Sequence, residues 1–292
     1  MTTREAAVRQ RRERAQQEGL TARLVGGHPF FGRYVVGGPS GRVHVVRFRW
    51  TRGAVHRCDC KDYETNGLGT CKHVEAVWLH LESTVDPAEL QAQAARAAEP
   101  SWRGAVLDHR VVFVDVETRR LFQEVGGRHH LDRLGVSVAV TYCEADGGFR
   151  SYGEAEVPQL MARLLDAPLV VGFNVLRFDY EVLSGYSDEA DRLYAVPTLD
   201  LMLELETRLG WRPGLDALAE ATLGMAKGGT GLEAVHLFRE GRLDELERYC
   251  RQDVELTRRL FEVGMRDGFL SVTGRDGAVL RVEAPWHAGL AA

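Results

Sequence analysis

The hydrophobic pattern changes period several times along the first hundred residues. Residues 2–18 are polar and charged with no apolar stripe, which predicts a charged helix or arm over residues 1–21, and Thr2 with Glu5 has the spacing of a capping box. From Ala22 the chain turns to short β-type runs. These are RYVVGG, GRVHVVRFRW and GAVHRCDC, separated by the Gly-Gly-Pro-Ser-Gly turn at 37–41 and by Thr51-Arg52-Gly53. KHVEAVWLHLES then sets Val74, Val77, Trp78 and Leu81 at helical spacing. The expectation is a β-β-β-α module at 22–83, small enough to need a staple, followed by a short helix and linker at 84–104.

A second pattern begins near Ala105. AVLDHRVVFVDVET is a strongly apolar strand, and LGVSVAVTYCEADGGFRSYG reads as two more strands around Ala145-Asp146-Gly147-Gly148. VPQLMARLLDA is a helix, PLVVGFN a buried strand and FDYEVLSGY a helix start. TLDLMLELETRLG, GLDALAEATLG and LDELERYCRQDVELTRRLFEVG read as mostly helical. Three adjacent strands followed by alternating helix and strand predict an α/β domain at 105–270, a mixed sheet flanked by helices. Residues 271–292 read as a closing hairpin and tail around Arg275-Asp276-Gly277.

Composition narrows the class. Mean hydropathy is -0.23, the longest apolar runs are far too short to span a bilayer, and the N-terminus lacks the apolar core of a secretory signal. A cytoplasmic protein with no membrane partner is expected. Three of the five cysteines lie between residues 58 and 71, unlike a disulfide framework. Residues 1–100 hold 15 Lys and Arg against 11 Asp and Glu, and the remainder 22 against 31. A basic first part suits a polyanion and an acidic second part suits cations. With 34 arginines against three lysines, the abundance of arginine carries little and its placement carries the signal.

Two clusters carry chemistry. Asp115 and Glu117 stand at i and i+2 of an apolar strand, so both point to one face, where two desolvated carboxylates repel unless a cation joins them. A strand end running into solvent would explain this dipeptide alone equally well. Asp179 follows a second buried strand at a helix start, where it also fits an ordinary N-cap. Tyr249 and Asp253 lie one helical turn apart on a late helix. Taken together, Asp115-x-Glu117, Asn174-x-x-x-Phe178-Asp179 and Tyr249-x-x-x-Asp253 resemble the three motifs of the DEDDy branch of the DEDD exonucleases, which includes the proofreading domains of family-B DNA polymerases.

The resemblance covers roughly residues 105–270. It implies a ribonuclease-H-like fold, 3′–5′ exonuclease activity on DNA or RNA, DNA foremost, at a single strand or 3′ end, and a place in DNA repair or processing. It also implies two Mg²⁺ or Mn²⁺ ions held by Asp115, Glu117, Asp179 and Asp253, with Tyr249 holding the attacking water and Asn174 and Phe178 shaping the pocket. Four carboxylates balance two divalent cations, and all-oxygen ligation suits those metals. After Glu117 this chain reads Thr118-Arg119-Arg120-Leu121 where many relatives have Thr-x-Gly or Thr-Gly-Leu. That departure puts end recognition in doubt; Arg119 and Arg120 are candidate phosphate contacts.

Cys58-x-Cys60, ten residues, then Cys71-x-His73 resembles the SWIM zinc finger, with Lys61 where many members have proline. Three thiolates and an imidazole give one Zn²⁺ a closed tetrahedral shell, a structural site with no open position for a catalytic water. Arg57, Lys61 and Lys72 stand where they can offset its charge. SWIM fingers are associated with binding DNA or proteins. Arg42, Arg47, Arg49, Arg52 and Arg57 surround the finger, and Arg47 and Arg49 alternate with Val46 and Phe48, so that they form an expected one-sided basic face for phosphates. A non-catalytic adaptor using this module to bind nucleic acid or a protein is the alternative function.

Overall fold

A computed structural model describes residues 3–50, 55–98, 103–225, 231–274 and 277–286. Thr2, Thr51 to Gly53, Arg275 and Asp276 therefore lie outside the described residues. The chain divides into two units. One comprises Met1–Pro100 with Asp188–Ala195, the other Ser101–Ser187 with Val196–Ala292.

The first unit starts with helix α1 (Thr3–Gln17), then strands β1 (Thr21–His28), β2 (Phe31–Gly37), β3 (Val43–Arg49) and β4 (Arg57–Cys58). Helices α2 (Lys61–Asn66), α3 (Lys72–Thr84) and α4 (Pro87–Ala98) follow. The sheet runs β1-β2-β3-β4, antiparallel throughout. It has one strand more than the hydrophobic pattern predicts, because TARLVGGH alternates weakly and keeps both faces partly exposed. The run predicted as a third strand pairs over only two residues. Alternation places Tyr34, Val36, Val46 and Phe48 on the buried face. Their partners are mostly rings. Phe48 stacks on His56 at 4.4 Å and meets Trp78 edge-on at 4.8 Å, and Trp50 meets Trp78 at 4.6 Å. Helix α1 packs on this body through buried Ala15, with Arg11 bidentate to Asp62 at 2.8 and 3.1 Å, Arg12 on Glu82, and Lys72 on Glu18.

The second unit opens with α5 (Arg103–Leu107), β5 (Val111–Thr118), β6 (Val136–Cys143), β7 (Gly148–Tyr152) and α6 (Val157–Leu165). It continues with β8 (Leu169–Gly172), α7 (Asp179–Leu183), β9 (Thr198–Asp200) and α8 (Leu201–Leu209). Helices α9 (Leu215–Leu223), α10 (Gly231–Arg239) and α11 (Leu243–Asp267) and the hairpin β10 (Phe269–Thr273) with β11 (Val279–Glu283) complete it. Five strands form one mixed sheet in the order β7-β6-β5-β8-β9, with β5, β8 and β9 parallel and the other pairs antiparallel. This mixed sheet flanked by helices is consistent with a ribonuclease-H-like fold. TLD, read as the start of a helix, instead forms edge strand β9, since Leu199 pairs beside Val171 before Asp200 caps α8. Helix α11 lays Val254, Leu260 and Phe261 into a core shared with Val111, Phe113 and Val140. Among the described residues no helix is long and apolar enough to cross a membrane.

Two candidate metal centres

The knuckle is built from turns. Cys58 ends β4; Cys60 caps α2, its sulfur accepting the Tyr63 N–H at 3.4 Å; Cys71 precedes α3, whose first turn carries His73. Gly67 closes α2 at φ 65°, a left-handed position that a side chain would strain. One ligand atom from each of the four residues lies within 4.8 Å of the others. His73 presents Nδ1, 3.7 Å from the Cys58 sulfur and 3.9 Å from that of Cys71. A tetrahedral zinc shell with Zn–S of about 2.3 Å and Zn–N of about 2.0–2.1 Å needs such edges of roughly 3.5–3.8 Å, so the set fits zinc. Protons shared among the sulfurs hold Cys58, which bonds Cys60, above the ordinary thiol range, and the same contact pulls Cys60 below it. The His73 ring lies against that of His44, tilted by 35° with centroids 4.2 Å apart, and His44 is in turn held by Asp59 at 2.7 Å.

The second centre is assembled across the mixed sheet. Asp115 and Glu117 project from one face of β5, and α11 crosses that face with Tyr249 and Asp253 turned inward. Carboxylate oxygens of Asp115, Glu117 and Asp253 gather within 4.8 Å of one another. Asp179, at the start of α7, stands beside this trio rather than inside it. It is 3% exposed, accepts the Val116 N–H, and leaves Oδ1 buried without a hydrogen-bond partner among the described residues. Burial, then the neighbouring charge of Asp115, pushes the Asp179 carboxyl well above the usual carboxylate range. Buried acids this crowded are stabilised by cations, and a donor set of oxygens fits hard divalent ions such as Mg²⁺ or Mn²⁺.

The remaining predicted residues divide. Asn174 holds a left-handed backbone at φ 66° in the loop before Asp179, and Phe178 meets Phe122 edge-on at 6.3 Å. Both therefore shape the loop beside the carboxylates. Arg119 is engaged by Glu154 and lies 5.1 Å over the Phe238 ring, while Arg120 donates to the Arg133 carbonyl at 2.7 Å. Arg47 is half-exposed, in register between Arg33 of β2 and Arg57 of β4.

Arg49 corrects the expected basic face. It is fully buried, 3.4 Å from Asp191 and stacked 3.9 Å over Tyr194, because the segment Asp188–Ala195 covers that end of the sheet. Arg52 lies outside the described residues.

Two residues escaped the motifs. Cys250 is buried, and its thiol donates to the Asp115 backbone carbonyl and Oδ2, both at 3.4 Å; one position after Tyr249, it looks in sequence like core. Asp200 is 2% exposed and accepts the backbone N–H groups of Asn174, Leu176 and Leu203 at 2.9, 3.0 and 3.2 Å. Burial pushes it up to about 6 against the pull of those donors. An Asp directly before the apolar run of α8 was its only signal in sequence.

No family model and no curated protein matches the chain. Among solved structures, the chain is similar to the family B DNA polymerase from the hyperthermophilic archaeon Pyrobaculum calidifontis, with 21% identity and a TM-score of 0.41. The match covers 53% of this chain and 24% of the polymerase, so the chain spans about a quarter of that protein's length. A likeness of that size assigns neither a family nor an activity.

Proposed function

We propose that the second unit is a metal-dependent 3′–5′ exonuclease of the DEDDy type and that the first is a zinc-stapled module serving its recruitment. The observation that carries this is the convergence of Asp115, Glu117 and Asp253 within 4.8 Å from one strand and one distant helix, with buried Asp179 alongside. Two divalent cations held by these carboxylates would supply the charge that stabilises the attacking and leaving oxygens of a phosphodiester. Asp115, central in the group, would serve both ions, Glu117 and Asp253 would complete one site, and Asp179 would face the other. Tyr249, one turn before Asp253, would orient the attacking water through its hydroxyl. Buried apolar residues of β5, β8 and the inner face of α11 pack behind the group, and such surroundings strengthen each charge interaction. Polarity, and DNA before RNA as substrate, follow the motif resemblance alone.

The knuckle has four protein donors and no open position, so its zinc would be structural. Of the two arginines expected to face phosphates on that sheet, Arg47 stays partly exposed and Arg49 is buried, so a phosphate or a partner would meet the face that carries Arg47.

The test uses the full chain with Mn²⁺ and, separately, with Mg²⁺, and oligonucleotides labelled at one end, as DNA and as RNA, with 3′ ends free or blocked. Stepwise shortening from free 3′ ends, abolished by Asp115→Ala, is the expected result. Undiminished degradation by that variant overturns the site assignment. A wild-type protein that binds oligonucleotides without cutting them with either metal would make the chain an adaptor.

A further inference from the structure

We infer that Asp200 is a positioning residue for the metal site, clamping the loop that delivers Asp179. This rests on the carboxylate cluster being a metal centre. The loop 173–178 must turn the chain from parallel strand β8 into α7 so that Asp179 arrives beside β5. It does so with Asn174 at φ 66°, a conformation that non-glycine residues hold only when their surroundings impose it. What imposes it is Asp200, level with Gly172 across the β8–β9 pair. Oδ1 of Asp200 accepts the N–H of Asn174 and Oδ2 that of Leu176, so one rigid carboxylate fixes both sides of the turn. The same element supplies two more ties. Glu206 of α8 binds Arg177, and Thr198 of β9 lies 3.0 Å from the Tyr180 hydroxyl. Every residue from 174 to 180 thus lies within a stretch anchored on β9 and α8.

Helix capping does not explain this choice of side chain. Asp200 also caps α8 through Leu203, but Asn or Ser caps a helix as well as Asp does. The loop needs two acceptor oxygens in one plane. An amide offers one and turns an NH₂ toward a backbone donor. The charge is moreover costly, since Asp200 is 2% exposed beside a site already crowded with acids. A buried carboxylate kept there at that cost is accounted for by the loop geometry it enforces. Residues that orient metal ligands from behind typically govern metal affinity by about 10- to 100-fold.

The experiment measures Mn²⁺ binding to the full chain by titration calorimetry and by the loss of free Mn²⁺ paramagnetic signal, alongside thermal unfolding. The variants are Asp200→Asn and Asp200→Ser, both of which retain a capping group for α8. Thr222→Val is the control. It breaks the 2.7 and 2.9 Å hydrogen bonds between Thr222 and Ser271 elsewhere in the same unit. The expected result is Mn²⁺ affinity weakened about 10-fold or more in the folded Asp200 variants, with cleavage partly restored by raised Mn²⁺. Thr222→Val should lose stability and keep its affinity. Asp200 variants that unfold earlier but bind Mn²⁺ as wild type does would overturn the inference. Asp115→Asn separates the two levels: if it too binds Mn²⁺ unchanged, the metal-site reading fails first.

Discussion

The thiol cluster gathers four side chains around a small volume and the carboxylate cluster three, with Asp179 beside them, yet the chain assembles the two in opposite ways. Cys58, Cys60, Cys71 and His73 fall within sixteen consecutive residues, on a two-residue strand and at the starts of two helices. Asp115 and Asp253 are more than a hundred residues apart and meet only because β5 and α11 share a core. The first cluster sits on short turns of its own stretch of chain, so an ion there would staple those turns directly. The second is mounted on a five-stranded sheet and a 25-residue helix, and its charges are held close against their own repulsion. Soft, local and closed suits a staple; hard, long-range and crowded suits chemistry.

The strongest test of that contrast is zinc removal. Structural zinc contributes on the order of 10 kcal/mol or more in small modules, so chelation or Cys71→Ser should abolish the unfolding transition of the first unit and leave that of the second. Calorimetry of the full chain reads both transitions, and their joint disappearance would erase the distinction. Next in size, Asp253→Asn should lower cleavage by about 10³-fold or more, roughly 4 kcal/mol. The same change should leave the thermal midpoint of the metal-free protein unchanged or higher, because it relieves one of several crowded charges. A large fall in that midpoint would make Asp253 a structural member of the core.

Acid should separate the units as well. Burial, reinforced by the Arg49 charge, pushes the fully buried His56 down from 6.5 to about 3, and its Nδ1 accepts the Arg49 N–H at 3.1 Å. A group depressed on folding contributes fully above its unfolded value and progressively less as pH falls from about 6.5 toward 3. A bound zinc ion would act in the same direction. The midpoint of the first unit should therefore drop steeply between pH 6.5 and 4, by a few kcal/mol of stability, and His56→Gln should flatten the slope. Equal slopes in both units would contradict the assignment. Smallest of all, Arg11→Ala removes the bidentate pair with Asp62 and should cost about 0.5–1 kcal/mol in the first unit alone, read from the same calorimetry.

Both clusters were legible in sequence for physical reasons. Ligand spacing in the knuckle is local, and paired carboxylates inside an apolar strand are conspicuous wherever they fall. The mixed sheet was legible because β5 and β6 are long apolar runs and β8 is a short one buried throughout. What escaped depends on contacts distant in sequence. β9 is three residues long and merges with its helix. β1 is a strand by pairing more than by pattern. Asp200 resembles any helix cap until the loop it clamps is seen, and Arg49 resembled a surface residue because the segment that buries it lies 142 positions further on.

That covering segment also sets a clock. The first unit includes Asp188–Ala195, with Asp191 neutralising Arg49 and Tyr194 lying over it. During synthesis, residues up to Pro100 emerge with the guanidinium uncovered, and the chain must extend through most of the mixed sheet before its partner appears. At typical rates of about 5–20 residues per second, that wait is about 5–20 s. The module at the start of the chain therefore lacks its last segment until the chain has been made through residue 195. A ribosome-bound intermediate arrested before residue 188 should hold its zinc knuckle formed and its β3 end open, a window in which chaperones can engage it.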